Sequence, residues 1–134
     1  MKKFKTLFLI TLIVDFLGLI PLALLKFMPE FMEAEVLSQF PGINEAGENA
    51  LLGIFDVFGV IALSMVIAIA VAINLKTKEA AQSAALILLI IHVGWTLMDW
   101  INFVSGGAHP PVPLLFLSLV PILTLGYAWK KGEV

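Results

Sequence analysis

The chain has 134 residues, 60% hydrophobic and only 13% charged, with a net charge of −2 and a mean hydropathy of +1.04; a soluble domain is about 25% charged, so this is the composition of an integral membrane protein of one domain. The absence of cysteine excludes disulfides, thiolate metal sites, cysteine nucleophiles and iron–sulfur clusters. Every basic residue is a lysine and none forms a basic patch, which excludes nucleic acid as a partner.

A membrane helix takes about 20 mostly apolar residues. Four stretches qualify, at residues 5–27, 48–75, 80–103 and 111–129, and they predict an all-α four-helix transmembrane bundle. The first follows Lys2, Lys3 and Lys5 as a signal peptide would. Its apolar run is too long for one, however, carries Asp15 and lacks a small-residue cleavage site, so it is expected to be retained. The lysines set the orientation. Lys2, Lys3 and Lys5 precede the first segment, Lys76 and Lys78 join the second to the third, and Lys130 and Lys131 follow the fourth. The other two connections are lysine-free, apart from Lys26, which can snorkel from the outer end of the first segment. By the positive-inside rule both termini are cytoplasmic.

Taken in order, the first segment carries Thr11, Asp15 and Gly18 on one face, expected to point into the bundle. The outer connection from 28 to 47 holds Glu30, Glu33, Glu35 and Glu45 among Phe31, Met32, Val36, Leu37 and Phe40. Residues 29–40 are expected to lie as a short amphipathic helix on the outer surface, closed by a Pro41-Gly42 turn, with Asn44 capping the second helical segment. In that segment Asn49, Gly53, Asp56 and Val60 share a face. Ser64, Ala68 and Ala72 form a small-residue series suited to close helix packing. The short link at 76–79 makes the second and third segments antiparallel neighbours.

The third segment places His92, Trp95, Asp99 and Asn102 at i, i+3, i+7 and i+10, a single stripe, and Gly94 admits a close helix on another face. His109 falls in an exposed turn. The fourth segment has Pro121 at mid-span, which frees a carbonyl; Ser118 and Thr124 share its face as polar partners. Tyr127 and Trp129 mark the inner interface and Trp100 the outer one.

Depth orders these groups. At 1.5 Å rise per residue, Asn49 and Asn102 lie at the outer rim, Asp99 roughly 6 Å below it, Asp56 roughly 12 Å, and His92 and Asp15 both roughly 16–18 Å, near the midplane. An aspartate at mid-membrane costs about 2.5–3.5 kcal/mol on insertion scales, so pairing or hydration is required. His92 is expected to pair with Asp15, and a water-filled outer vestibule to hydrate Asp56 and Asp99. Toward the cytoplasmic side, residues 57–73 of the second segment and 84–91 of the third offer only Ser64 as a polar group, so no exit is expected to lead inward.

These residues are compatible with several functions. They can be hydrogen-bonded groups that fix helix register. They can line a pocket for a small-molecule or lipid-like ligand, with Asp15, Asp56, His92, Trp95, Asp99, Asn102 and Asn49 as candidate ligand- or proton-binding residues and Phe55 and Phe58 beside them. They can form a proton- or cation-coupled transport site. A divalent metal site of His92 and two carboxylates matches in ligand type but lacks the paired spacing of a helical metal motif. Catalysis lacks a nucleophile or a phosphate-binding loop, no catalytic residue is assigned and no cofactor is specified. The reading adopted is a non-enzymatic ligand-binding or accessory membrane protein, with transport as the alternative. The small-residue face of the second segment leaves a homodimer or a larger membrane complex open.

The layout resembles the DoxX-like group of small four-helix bacterial membrane proteins. The resemblance is carried by the outer run Phe27-Met28-Pro29-Glu30-Phe31-Met32, by Leu51-Leu52-Gly53-Ile54-Phe55-Asp56-Val57-Phe58-Gly59 opening the second segment, and by the stretch from Asp99 to Pro113 before a plain last helix. It implies a four-helix fold in a bacterial cytoplasmic membrane. Since some members are quinone-reactive subunits of membrane redox complexes, it also implies that role as a further alternative.

Overall fold

A chain surrounded by hydrocarbon must satisfy every backbone N–H and C=O internally, and the helix does so within one segment. The computed structural model describes residues 3–24, 27–107 and 109–134; Lys26 lies outside them. The elements are α1 (Phe4–Leu24), α2 (Pro29–Glu35), a 3-10 turn (Leu37–Gln39), α3 (Glu45–Ala72), α4 (Lys78–Ser105), α5 (Val112–Leu117) and α6 (Leu119–Lys131). Among the described residues, four helical spans are long and apolar enough to cross a membrane: one in α1, α3, α4, and the α5–α6 pair taken together. The protein is an all-α four-helix bundle and an integral membrane protein.

Local chemistry sets the boundaries. Asn44 caps α3, its Oδ1 accepting from Gly47 N–H at 2.9 Å. Thr77 caps α4, its Oγ1 accepting from Ala80 N–H at 3.3 Å. Pro41-Gly42 makes a turn in which Gly42 has φ 84° and Ile43 N–H donates to Phe40 O at 3.1 Å, the geometry in which glycine avoids a Cβ clash. At the end of α4, Gly106 takes the left-handed conformation and Gly107 N–H donates to Asn102 O at 2.8 Å, a Schellman-type stop. The last span breaks at Ser118 because Pro121 has no N–H to offer the Leu117 carbonyl. Ser118 Oγ bonds Leu115 O at 2.7 Å and Thr124 Oγ1 bonds Val120 O at 2.8 Å, so both hydroxyls serve neighbouring carbonyls.

The segment expected to be interfacial forms the short helix α2 and the 3-10 turn, with Met32 buried and Phe27, Phe31 and Phe40 exposed.

Around the bundle, α1 packs broadly on α3 and α6, α4 packs on α6, and α3 meets α4 along a narrow seam. The α3–α4 hairpin is therefore antiparallel but splayed, and α1 and α4 face each other across a diagonal. The close packing lies toward the lysine-bearing end, where Phe4, Phe8, Ile69, Ala85, Leu88 and Leu125 form the buried core. Lys3 and Glu133 are joined there by a backbone bridge, and Gln82 Nε2 donates to Trp129 O at 3.1 Å. Toward the acidic end the helices separate and leave a cavity.

Two packing expectations are corrected. In the series Ser64, Ala68 and Ala72 only Ala72 is buried, and Ser64 Oγ bonds its own helix at Val60 O, 2.8 Å. The close contacts of α3 are made instead by Gly59, Ala62, Val66 and Ile69. Gly94 has no atom near enough to meet a side chain placed there, because it faces away from the bundle.

Candidate functional site: a cavity closed by a histidine–aspartate pair

The buried stripe of α4 is Ala81, Ala85, Leu88, His92 and Thr96, spaced by four and three residues as one helix face must be. The matching stripe of α1 is Phe4, Leu7, Phe8, Thr11 and Asp15. The two polar ends of these stripes meet across the diagonal. His92 Nε2 lies 2.7 Å from Asp15 Oδ2, with both side chains almost wholly buried. The other ring nitrogen, Nδ1, lies 2.7 Å from the Leu88 carbonyl. A carbonyl only accepts, so Nδ1 carries a proton and donates. The short Nε2–Oδ2 contact then requires a second proton between its atoms. The pair is either imidazolium with carboxylate or imidazole with carboxylic acid, and in both forms it is neutral as a unit. That neutrality is what makes the pair tolerable at this depth.

One turn toward the lysine-bearing end, Thr11 Oγ1 and Thr124 Oγ1 are 2.7 Å apart. Thr11 Oγ1 also reaches Leu7 O at 3.1 Å. This half-buried hydroxyl pair ties α1 to α6. The sequence places Thr11 on the inward face of its helix and Thr124 beside the Pro121 kink, with no sign that the two meet. Beyond it the core is closely packed.

On the other side of the pair, a cavity of about 510 Å³ extends toward the acidic end. Asp15, His92 and Thr96 lie at its deep end, Trp95 and Asp99 along the α4 wall, Phe58 and Met65 on α3, and Leu114 and Pro110 near the connection to α4. Its walls are chiefly apolar. Gly18 also lines it, and no atom stands within 4 Å of where a side chain would begin there. Phe58 closes the narrow α3–α4 seam by an edge-to-face contact with Trp95, centroids 5.7 Å apart. Thr96 donates to His92 O at 3.0 Å and so is already engaged.

Of the residues anticipated for this site, Asp15, His92, Trp95 and Asp99 line one cavity, and the expected His92–Asp15 contact is formed. Asp56, Asn49 and Asn102 do not join them. Asn49, Gly53, Asp56 and Val60 do share a face, but all four are exposed. At about 100° per residue Asp56 lies about 160° round the helix from Phe58 and about 180° from Met65, the α3 residues that line the cavity, so Asp56 points away from it. No residue of α3 before Gly59 is buried, because this half of the helix diverges from the bundle. Phe55 packs edge-on against Phe58 at 6.4 Å rather than lining the cavity. Asn102 belongs to the α4 stop, with its side chain against Gly107. Among the described residues no three histidine, aspartate or glutamate side chains converge as a metal site would require.

At the acidic end Trp100 stacks edge-on with Phe103 at 6.0 Å and Phe116 at 5.4 Å. Among the described residues its indole N–H is the buried side-chain polar atom with no acceptor. Trp100→Phe keeps the aromatic cluster and removes the orphan donor. It is expected to leave stability unchanged or raise it by up to about 1 kcal/mol, as measured by thermal unfolding in detergent. His109 is exposed as expected, its ring against Phe103 at 5.1 Å.

No protein-family model matches the chain, and no curated protein or solved structure matches it.

Proposed function

We propose that this protein is a non-enzymatic binding or accessory protein of the membrane, taking a small amphiphilic ligand from the outer side. One observation carries the reading: a preformed, mostly apolar cavity of about 510 Å³ that ends on the neutral His92–Asp15 pair. The volume lies within the range of small-molecule sites, and a few polar groups on apolar walls are their usual chemistry. The lysine distribution orients the mouth outward.

A proton- or cation-coupled transporter needs a route beyond the pair. The packing of Thr11, Phe8 and Leu125, each fully buried, favours binding over passage. A quinone-reactive role, implied by the layout, is one form of the same binding reading.

Gly18→Leu tests it. Leucine favours the helix over glycine and its side chain enters the cavity from α1. Wild-type protein purified in mild detergent is expected to bind amphiphilic probes by calorimetry, and the variant is expected to fold but lose that binding. Equal binding by both proteins would place the ligand elsewhere.

A further inference from the structure

We propose that the ligand of this cavity is a lipophilic organic cation, held by the Asp99 carboxylate and the aromatic wall of Trp95 and Phe58; this rests on the binding role proposed above.

Charge separates the possible ligand classes. Two carboxylates line the cavity, but they are not equivalent. Asp15 shares a proton with His92, whose Nδ1 is committed to the Leu88 carbonyl, so that pair contributes no net charge. Asp99 is then the unbalanced group, one turn from Trp95 on the same face of α4. Among the described residues no lysine lines the cavity. His109 interacts with Asp99 electrostatically but is exposed and held to the Pro110 carbonyl at 2.7 Å. Among the described residues, the faces of α1, α3, α5 and α6 that border the cavity supply Val14, Leu19, Met65, Leu115 and Pro121 and no charged group except Asp15.

An anion entering this space meets Asp99 with no lysine among the described lining residues to receive it. A neutral ligand leaves the carboxylate to water and gains nothing from it. A lipophilic cation gains on both counts, since its charge meets Asp99, its bulk fills the apolar walls, and an aromatic ring within about 6 Å attracts it further.

The test uses three probes of similar bulk and different charge on the intact protein: tetraphenylphosphonium, triphenylphosphine oxide and tetraphenylborate. Calorimetry in mild detergent is expected to show saturable binding of the phosphonium, abolished by Gly18→Leu and absent for the borate. Asp99→Asn is expected to weaken the phosphonium about tenfold or more, equivalent to about 1.4 kcal/mol. Asp99→Glu, which keeps the charge, should retain most of the affinity, and Asp56→Asn, on the opposite face of α3, all of it. Thermal unfolding of each variant checks that it is folded. Oxide or borate binding as tightly as the phosphonium, in a manner sensitive to Gly18→Leu, would overturn the cation assignment and leave the binding role standing. Undiminished phosphonium binding in folded Asp99→Asn would overturn it as well. Binding of none of the three probes would overturn both readings.

Discussion

Asp15→Ala and His92→Ala are each expected to destabilise the folded bundle by about 3–5 kcal/mol, the cost of removing one member of a buried ionic pair. The reason lies in what remains. Without Asp15, the imidazole keeps its Nδ1 bond to Leu88, but Nε2 faces an apolar interior with no protein partner for its proton or lone pair. Without His92, the carboxyl group of Asp15 must take up a proton or draw water into the deep end of the cavity. The double substitution leaves neither group, so its cost is expected to fall well short of the sum. Asp15→Asn separates charge from hydrogen bonding. With a neutral imidazole, the amide can donate to Nε2 and preserve one contact, and the loss is expected to be about 1 kcal/mol. Unfolding by titration with a denaturing detergent measures all four proteins. Additive single losses, or Asp15→Asn as damaging as Asp15→Ala, would mean that the pair is not a coupled neutral unit.

Much of this arrangement could be read from the residues. The lysines marked which loops share a side, and helix rise put His92 and Asp15 at one depth, which was enough to pair them across a sequence separation of 77. The stripe on α4 was legible as far as Asp99. It failed at Asn102 because the glycines after it turn the last helical carbonyls into a stop, and Gly106-Gly107 is the feature that signals this. The misplacement of Asp56 has a different cause. α3 carries two stripes, a polar one through Asn49, Asp56 and Val60 and a small, apolar one through Gly59, Ala62 and Ile69. Periodicity defines both but does not say which faces the bundle. In a soluble helix water would decide; in a membrane both surroundings are apolar, and the packing of Gly59 and Ala62 decides instead. The splay of α3 from α4 is likewise a property of how four helices pack together, and the short link between the two gives no sign of it.

Phe8→Ala is expected to cost about 2 kcal/mol and yet leave the membrane tight. Phe8 is fully buried in the core below the pair, stacked near Phe4 with ring centroids 6.2 Å apart. In a bilayer the transfer part of a large-to-small substitution largely disappears, because lipid is as apolar as the core. What remains is the void: at about 24 cal/mol per Å³, the roughly 100 Å³ vacated by the ring accounts for about 2 kcal/mol. That void would be walled by groups such as Leu7, Leu88 and Leu125, and an apolar cavity of this kind stays dry. Proton flux into liposomes carrying the variant, followed with an internal pH dye under an imposed gradient, should therefore match that of wild type. A leak appearing on this substitution would mean that Phe8 had been closing a hydrated path, and would replace a binding site with a solid floor by a gated transporter. Tightness with the predicted loss of stability would instead identify the core between Thr11 and the lysine-bearing end as a structural base for the cavity above it.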